Sequence, residues 1–219
     1  MQVNIRKRLP ADELESILGR HGRWLKSKGS RGCRADLRCC DLSNRDLFGA
    51  VLVKAILRDI DFSHTNLRTA NLKQAELHHC RFHQAHMQWS ILQGAVLHGS
   101  DLTQANLQFC DFSSATVSDT DFAGAFFHNA YFEKAVLRKA NFTGTNLRFS
   151  TWSSSKLSQI KFTACTIQLA DFSNASLRDT DFSDAHIFNT DFTGSDLRGV
   201  EFAATRMENV NFKGAQLDP

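Results

Sequence analysis

The chain has 219 residues, with 26 Lys and Arg against 23 Asp and Glu and a formal net charge of +3. No apolar stretch is long enough to cross a bilayer or to act as a secretory signal, so a cytoplasmic protein without membrane contact is expected. The charge is unevenly placed: residues 1–34 hold nine basic and three acidic residues, and the rest of the chain holds seventeen basic and twenty acidic.

In chain order, residues 1–34 form a segment of their own. Leu14, Ile17, Leu18, His21, Trp24 and Leu25 recur at helical spacing. Pro10, Asp12, Glu13 and Glu15 stand at the start of this stretch and Lys26 and Lys28 at its end, the polarity that suits a helix dipole. The spacing predicts an amphipathic helix. The basic run Arg6, Lys7 and Arg8 ahead of it reads as a solvated arm, and DNA is not an expected partner.

A different rule governs everything from Leu37 to Leu217. Every fifth residue is large and apolar, without exception over 37 positions: eighteen Leu, thirteen Phe, and Met87, Val117, Trp152, Ile167, Ile187 and Met207. Two residues before each stands a small one, Ala in seventeen cases; the exceptions are Ile60, Ile160, Val200, Val210 and Arg45. Between the two lies Asp or Asn in seventeen cases, as in Ala35-Asp36-Leu37, Ala70-Asn71-Leu72 and Ala170-Asp171-Phe172. A period of five fits neither a helix nor a plain strand, so each repeat must join a short extended piece to a turn. The large and small positions, two apart, share one side of the extended piece, which must face inward. Gly or Asn follows two residues after the large position in thirteen repeats, for example Gly94, Gly144 and Asn174, as a turn requires.

This A(D/N)LXX pattern resembles the pentapeptide-repeat family over residues 35–217. The resemblance implies an all-β chain folded as a right-handed quadrilateral β-helix, here residues 35–219. A four-sided coil also follows from the Phe positions. Twelve of the thirteen Phe lie on alternate repeats, Phe127 being the exception. A ten-residue subperiod survives only if each coil has an even number of sides, and two sides enclose no interior. Twenty residues per coil gives a little over nine coils, with Phe columns on opposite faces. Solenoids need their ends covered. The helix of residues 1–34 is the expected cap, through Leu14, Ile17, Leu18, Trp24 and Leu25, the last two packing on the first coil. No second cap is expected after Leu217. Phe202, Met207, Phe212 and Leu217 would surround an open end, a candidate for tail-to-tail homodimerisation.

Chemistry is sparse. Cys40, Cys80, Cys110 and Cys165 fall on inward small positions and act as apolar fillers, so disulfides are not expected. His78, His79, His83, His86 and His98 cluster, with His78 and His98 one coil apart, yet lack the Cys or carboxylate company of a zinc site. No catalytic residues, metal or cofactor are expected. Outward columns differ by face. One carries a basic stripe of Arg38, Arg58, His78, His98, Arg138, Arg178 and Arg198. The next carries Asp41, Asp61, Asp101, Asp121, Asp181 and Glu201, broken by Arg81 and Lys161. A third places Trp89, Phe109, Phe149 and Leu169 at twenty-residue spacing, with Phe126 close by. Those large apolar groups either seal the coil corners or form a binding patch for a partner protein. The resemblance implies two classes of function, a noncatalytic protein-binding scaffold and a DNA mimic that protects DNA gyrase from quinolones. Charge favours the first. A duplex of about the same length carries roughly 25 negative charges, whereas the repeats net −3.

Overall fold

The structure is a computed structural model and describes residues 6–218. Strand β1 (Lys7–Arg8) leads into helix α1 (Ala11–Lys26), after which the chain winds as a β-solenoid. Its regular strands are β2 (Cys40–Asp41), β3 (Glu76–His78), β4 (Val96–His98), β5 (Thr116–Ser118), β6 (Val136–Arg138), β7 (Lys156–Ser158), β8 (Thr166–Gln168), β9 (His186–Phe188) and β10 (Arg206–Glu208). Within the solenoid all pairing is parallel with a step of twenty residues, from Asp36↔Ile56 to Asp196↔Gln216, so each coil has four five-residue sides as the Phe positions required. Three-residue ladders run only from Glu76 to Glu208, about seven turns. That is fewer than the nine-plus coils of the repeat count, because residues 36–75 are joined to the next coil by single bridges.

Each repeat closes on itself at its corner. The residue two after the large one has positive φ at every one of the 36 corners from Cys39 to Gly214, +48° to +63° for the non-glycines. At many corners the small residue's N–H then bonds the carbonyl of the preceding large residue, as in Ala50 N to Leu47 O at 3.0 Å. A left-handed residue at the third turn position is what favours Gly and Asn there. Asp and Asn at the middle position accept the N–H two residues on, as Asp61 Oδ1 does from Ser63 at 2.9 Å, the local turn expected of that residue type.

The interior follows the pattern. Every large side chain from Leu37 to Leu197 is buried. Two aromatic columns run up opposite sides. In one, Phe112, Phe132, Trp152, Phe172 and Phe192 stack nearly parallel at 3.9–5.6 Å. In the other, Phe122, Phe142, Phe162 and Phe182 follow one another at 4.7–5.2 Å, parallel to within 20° except at Phe142–Phe162, which is tilted by 34°. The columns meet edge to face, Phe112 against Phe122 at 86°, so both favoured aromatic geometries are used at once. Most hydroxyls and thiols at small positions find a carbonyl, either one coil back, as Thr65 Oγ1 does at Leu42 O (2.8 Å) and Ser100 Oγ at Leu77 O (2.9 Å), or three residues back, as Ser150 Oγ does at Leu147 O (2.7 Å), which offsets the cost of burying them.

The cap differs from expectation in two ways. Trp24 and Leu25 are only half-buried, and the side chains that join the core are Leu9 and Leu14, with Ile17 and Leu18 packed against it. Trp24 instead stacks on His21 at 5.7 Å, and it is His21 that occupies the covered position, fully buried with Nδ1 accepting the Ala35 N–H at 3.0 Å. Burial lowers the His21 pKa, and the charge of Arg34 adds to the effect. Strand β1, which has no sequence pattern of its own, adds the second element by pairing with β2. The basic arm is thereby spent on attachment: Arg6 Nε donates to Asp59 O at 2.7 Å, Lys7 pairs with Glu13 and Arg8 with Asp41. Arg45, the one charged residue at an inward small position, reaches out of the coil to donate to the Leu9 carbonyl.

Candidate functional site

The four faces can be compared column by column. On the first, the basic stripe is largely neutralised, contrary to its appearance in sequence. Arg38 binds Asp36 at 2.7 Å, Arg58 binds Glu76, and Arg178 and Arg198 share Asp196 at 2.5 and 2.8 Å. The carboxylates stand two positions before the arginines, or on the coil beyond, where the parallel register brings them alongside. The adjacent Arg guanidinium holds the Asp36 carboxyl below the ordinary range, and Arg58 with Arg34 does so for Glu76. Arg138 has no carboxylate partner among the described residues. The acidic column is likewise engaged, Asp61 with Arg81 at 3.3 Å and Asp181 with Thr163 at 3.0 Å.

The histidines come together without forming a metal centre. His78 and His79 flank His98 with ring centroids at 6.3 and 5.1 Å, and His98 Nδ1 lies 2.9 Å from Ser118 Oγ. Among the described residues no three His, Cys, Asp or Glu side chains converge as metal ligands. Cys40, Cys80, Cys110 and Cys165 are buried and unpaired, Cys33 and Cys39 exposed and unpaired. Burial pushes the thiols of Cys80 and Cys110 up to about 12 and that of Cys165 to about 11, which makes them fillers and not nucleophiles. Depressions along the rod are open gaps between neighbouring coils, such as that lined by Lys139, Asn141, Gln159 and Lys161. Among the described residues no helix is long and apolar enough to cross a membrane.

The third face is the one that departs from the rest. Trp89, Phe109, Phe149 and Leu169 occupy corner positions with φ of +63°, +59°, +59° and +53°, a backbone region that bulky L-residues rarely adopt. Three of them stand well out of the core, Trp89 at 57%, Phe149 at 41% and Leu169 at 48% exposure, whereas Phe109 is half-buried. The Trp89 and Phe109 rings stack at 4.0 Å and 1°. Where Asn129 interrupts the column, the His128 ring fills the gap, edge-on to Phe109 at 6.1 Å and to Phe149 at 5.0 Å. The result is a continuous file of four rings along the rod. Phe126, 47% exposed, stands on the same face outside the file. His128 was not apparent as a member of this site, because it stands one residue off the twenty-residue column and only the side-chain packing brings it in.

The other sequence-derived site lies at the end of the last coil. Phe202 and Phe212 are half-buried, and Met207 and Leu217 exposed at 38% and 59%. Phe202 and Phe212 each stack on the coil before, on Phe182 and Phe192, and nothing covers their other faces in the described chain.

Comparison with known proteins agrees with this architecture. A family model for a pentapeptide repeat region matches residues 125–202, and one for eight-copy pentapeptide repeats matches 46–84, 55–94 and 80–119. Among solved structures, HetL, a pentapeptide repeat protein involved in heterocyst differentiation regulation from the cyanobacterium Nostoc, superposes with a TM-score of 0.57 at 22% identity, covering 94% of this chain and 96% of that one. A trypsin-treated form of QnrB1, a plasmid-mediated fluoroquinolone resistance protein, gives 0.53 at 18% identity, covering 84% and 91%. At these identities the likeness shows the fold alone. No curated protein sequence matches the chain significantly. With five-residue sides, left-handed corners, the A(D/N)LXX sequence and both family models in agreement, the chain belongs to the pentapeptide repeat family.

Proposed function

We propose that this protein is a noncatalytic scaffold that binds a partner protein along its third face, centred on Trp89, Phe109, Phe126, Phe149 and Leu169. One observation carries the reading. The outward positions of this face from Asn66 to Asn189 number 21, and they hold five Trp or Phe, one Leu, two Arg, three His, eight Asn or Gln and two Thr. Not one is Lys, Asp, Glu, Ser or Ala. Enrichment in aromatics with loss of those five types is the composition of a protein interface core, and Trp is among the residues that dominate hot spots. The strained corners add to this. A bulky side chain in the left-handed region costs on the order of 1 kcal/mol, and the exposure of these side chains gives little core burial in return.

The unpaired, unreactive interior thiols are consistent with a reducing cytoplasm as the working compartment. Pairing of two copies through Phe202, Met207, Phe212 and Leu217 is a separate proposal, checked by light scattering at micromolar concentration: a monomer mass rules it out.

The partner-face reading is tested by affinity capture from a bacterial lysate, with the wild type and a Trp89→Ser/Phe109→Ser double variant as paired baits of equal circular dichroism. A protein retained by the wild type and lost from the variant supports it. Retention that ignores the substitutions refutes it, and DNA gyrase on both baits would redirect attention to the acidic face.

A further inference from the structure

The same face has a charge asymmetry that bears on what it can hold. Arg68 and Arg148 are its only charged groups between Asn66 and Asn189 other than histidines, and neither has a carboxylate in ion-pairing range among the described residues. Arg68 is braced by Asn66 Oδ1 at 2.9 Å and lies 5.8 Å from the Phe48 ring. In repeat order the nearest carboxylates on the far side of the file, Asp111 and Asp171, belong to the fourth face. Because Trp89 and Phe109 cover each other's ring faces, this pair presents ring edges outward, and these carry the positive part of the aromatic quadrupole. Between Asn66 and Asn189 the ring edges and the two guanidiniums therefore give the strip one sign, while Asp46, one coil before Arg68, is tied to Asn66 Nδ2 at 2.7 Å.

Backbone geometry limits the shape of an occupant. The N–H groups along this face are consumed by the neighbouring coil, as in Leu67 N to His86 O, Leu107 N to Phe126 O and Phe149 N to Gln168 O. No lateral strand edge is available to an extended peptide. A helix brings its backbone bonds already made. Coils repeat at about 4.8 Å and helical turns at about 5.4 Å, so one apolar side chain per turn follows Trp89, Phe109, His128, Phe149 and Leu169 with a slip of about 2 Å over the strip, less than a ring width. Trp89 to Leu169 and Arg68 to Arg148 each span four coils, roughly 19 Å, or about 13 helical residues.

Building on the partner-face reading, we propose that the strip docks an acidic amphipathic α-helix of the partner, laid along the rod axis, with its apolar stripe on the ring file and its carboxylates at Arg68 and Arg148.

Trp89 is a built-in reporter, since Trp152 is buried and Trp24 can be replaced by Phe in every protein compared. The probes are two stapled 16-residue helices with the same Leu at positions one turn apart, one flanked by Glu and the other by Lys. The Glu helix is expected to blue-shift Trp89 emission and saturate. Its Kd should rise about tenfold both on adding 0.5 M salt and in an Arg68→Gln/Arg148→Gln variant of unchanged circular dichroism, with the Lys helix at least tenfold weaker. Equal binding of the two helices, a salt-insensitive Kd, or no binding of the Glu helix overturns the inference. If lysate capture still depends on Trp89 and Phe109 in that event, the partner face stands and only the acidic helix is withdrawn; if it does not, both fall.

Discussion

Replacing Trp89, Phe109, Phe149 and Leu169 together by Asn separates a structural role from a binding role. Asn already stands at corners 129, 174, 189 and 209 with φ of +48° to +55°, so the backbone accepts it. Each substitution removes on the order of 1 kcal/mol of left-handed strain. Each also forfeits burial. A fully buried Leu or Phe is worth about 1.5–3 kcal/mol, and these side chains, Phe109 excepted, are roughly half-exposed, which leaves about 1 kcal/mol lost per site. The two effects cancel at Phe149 and Leu169. The Trp89–Phe109 stack adds about 1 kcal/mol of loss that nothing offsets. The fourfold variant is thus expected to unfold within about 2 kcal/mol of the wild type. The matched control is Ile167→Asn, two residues from Leu169 but wholly buried, which removes a core side chain and buries an unpaired amide; it should cost about 4 kcal/mol or more. Urea unfolding followed by circular dichroism measures both, compared at the midpoint because solenoids need not unfold in two states. If the fourfold variant loses as much as Ile167→Asn, the corner side chains are sealing the core and the functional argument from strain fails.

Other outcomes follow from the same structure. Trp152→Ala should cost about 3–5 kcal/mol, because the ring lies between Phe132 and Phe172 and its Nε1 donates to Ser150 Oγ at 2.8 Å; a cost under 1 kcal/mol in chemical denaturation would contradict the stacked core. His21 is neutral when folded and its pKa is depressed below 6.5, so the unfolded chain takes up a proton first as pH falls. Stability contributed by His21 should be intact above about pH 7 and decline as pH drops through 6.5. Burial lowers the His78 pKa as well, so the informative quantity is the difference in urea midpoint between pH 7.5 and 5.5 for wild type against His21→Gln; equal differences would refute the buried neutral imidazole. Of the six thiols, Cys33 and Cys39 should react with a disulfide reagent within the mixing time and Cys80, Cys110 and Cys165 only on unfolding; more than three fast thiols by absorbance would mean that the coils open readily.

How far the sequence reaches depends on whether an interaction is set by chain period or by contact across coils. The five-residue period dictated which side chains face inward, and the alternation of Phe and Leu required an even number of sides, since a buried column must repeat at the coil length. The Trp89 column was legible for the same reason: equal spacing along the chain becomes adjacency in space. What the period could not convey was everything that departs from it. His21 entered the cap in place of Trp24 and Leu25 because its Nδ1 meets the Ala35 N–H at the first coil, a contact that helical spacing alone does not select. Strand β1 is too short to show a pattern, and only the open edge of Cys40–Asp41 gives it a partner. The basic stripe seen along Arg38, Arg58, Arg178 and Arg198 dissolved into ion pairs, within a repeat at Asp36 and between stacked coils at Glu76 and Asp196, whereas Arg68 and Arg148 have no carboxylate in ion-pairing range among the described residues. Repeats constrain the inside of the rod through packing and leave the outside free, so the chain by itself determined the solenoid, and the tertiary structure decided which outward groups are already satisfied and which still have something to bind.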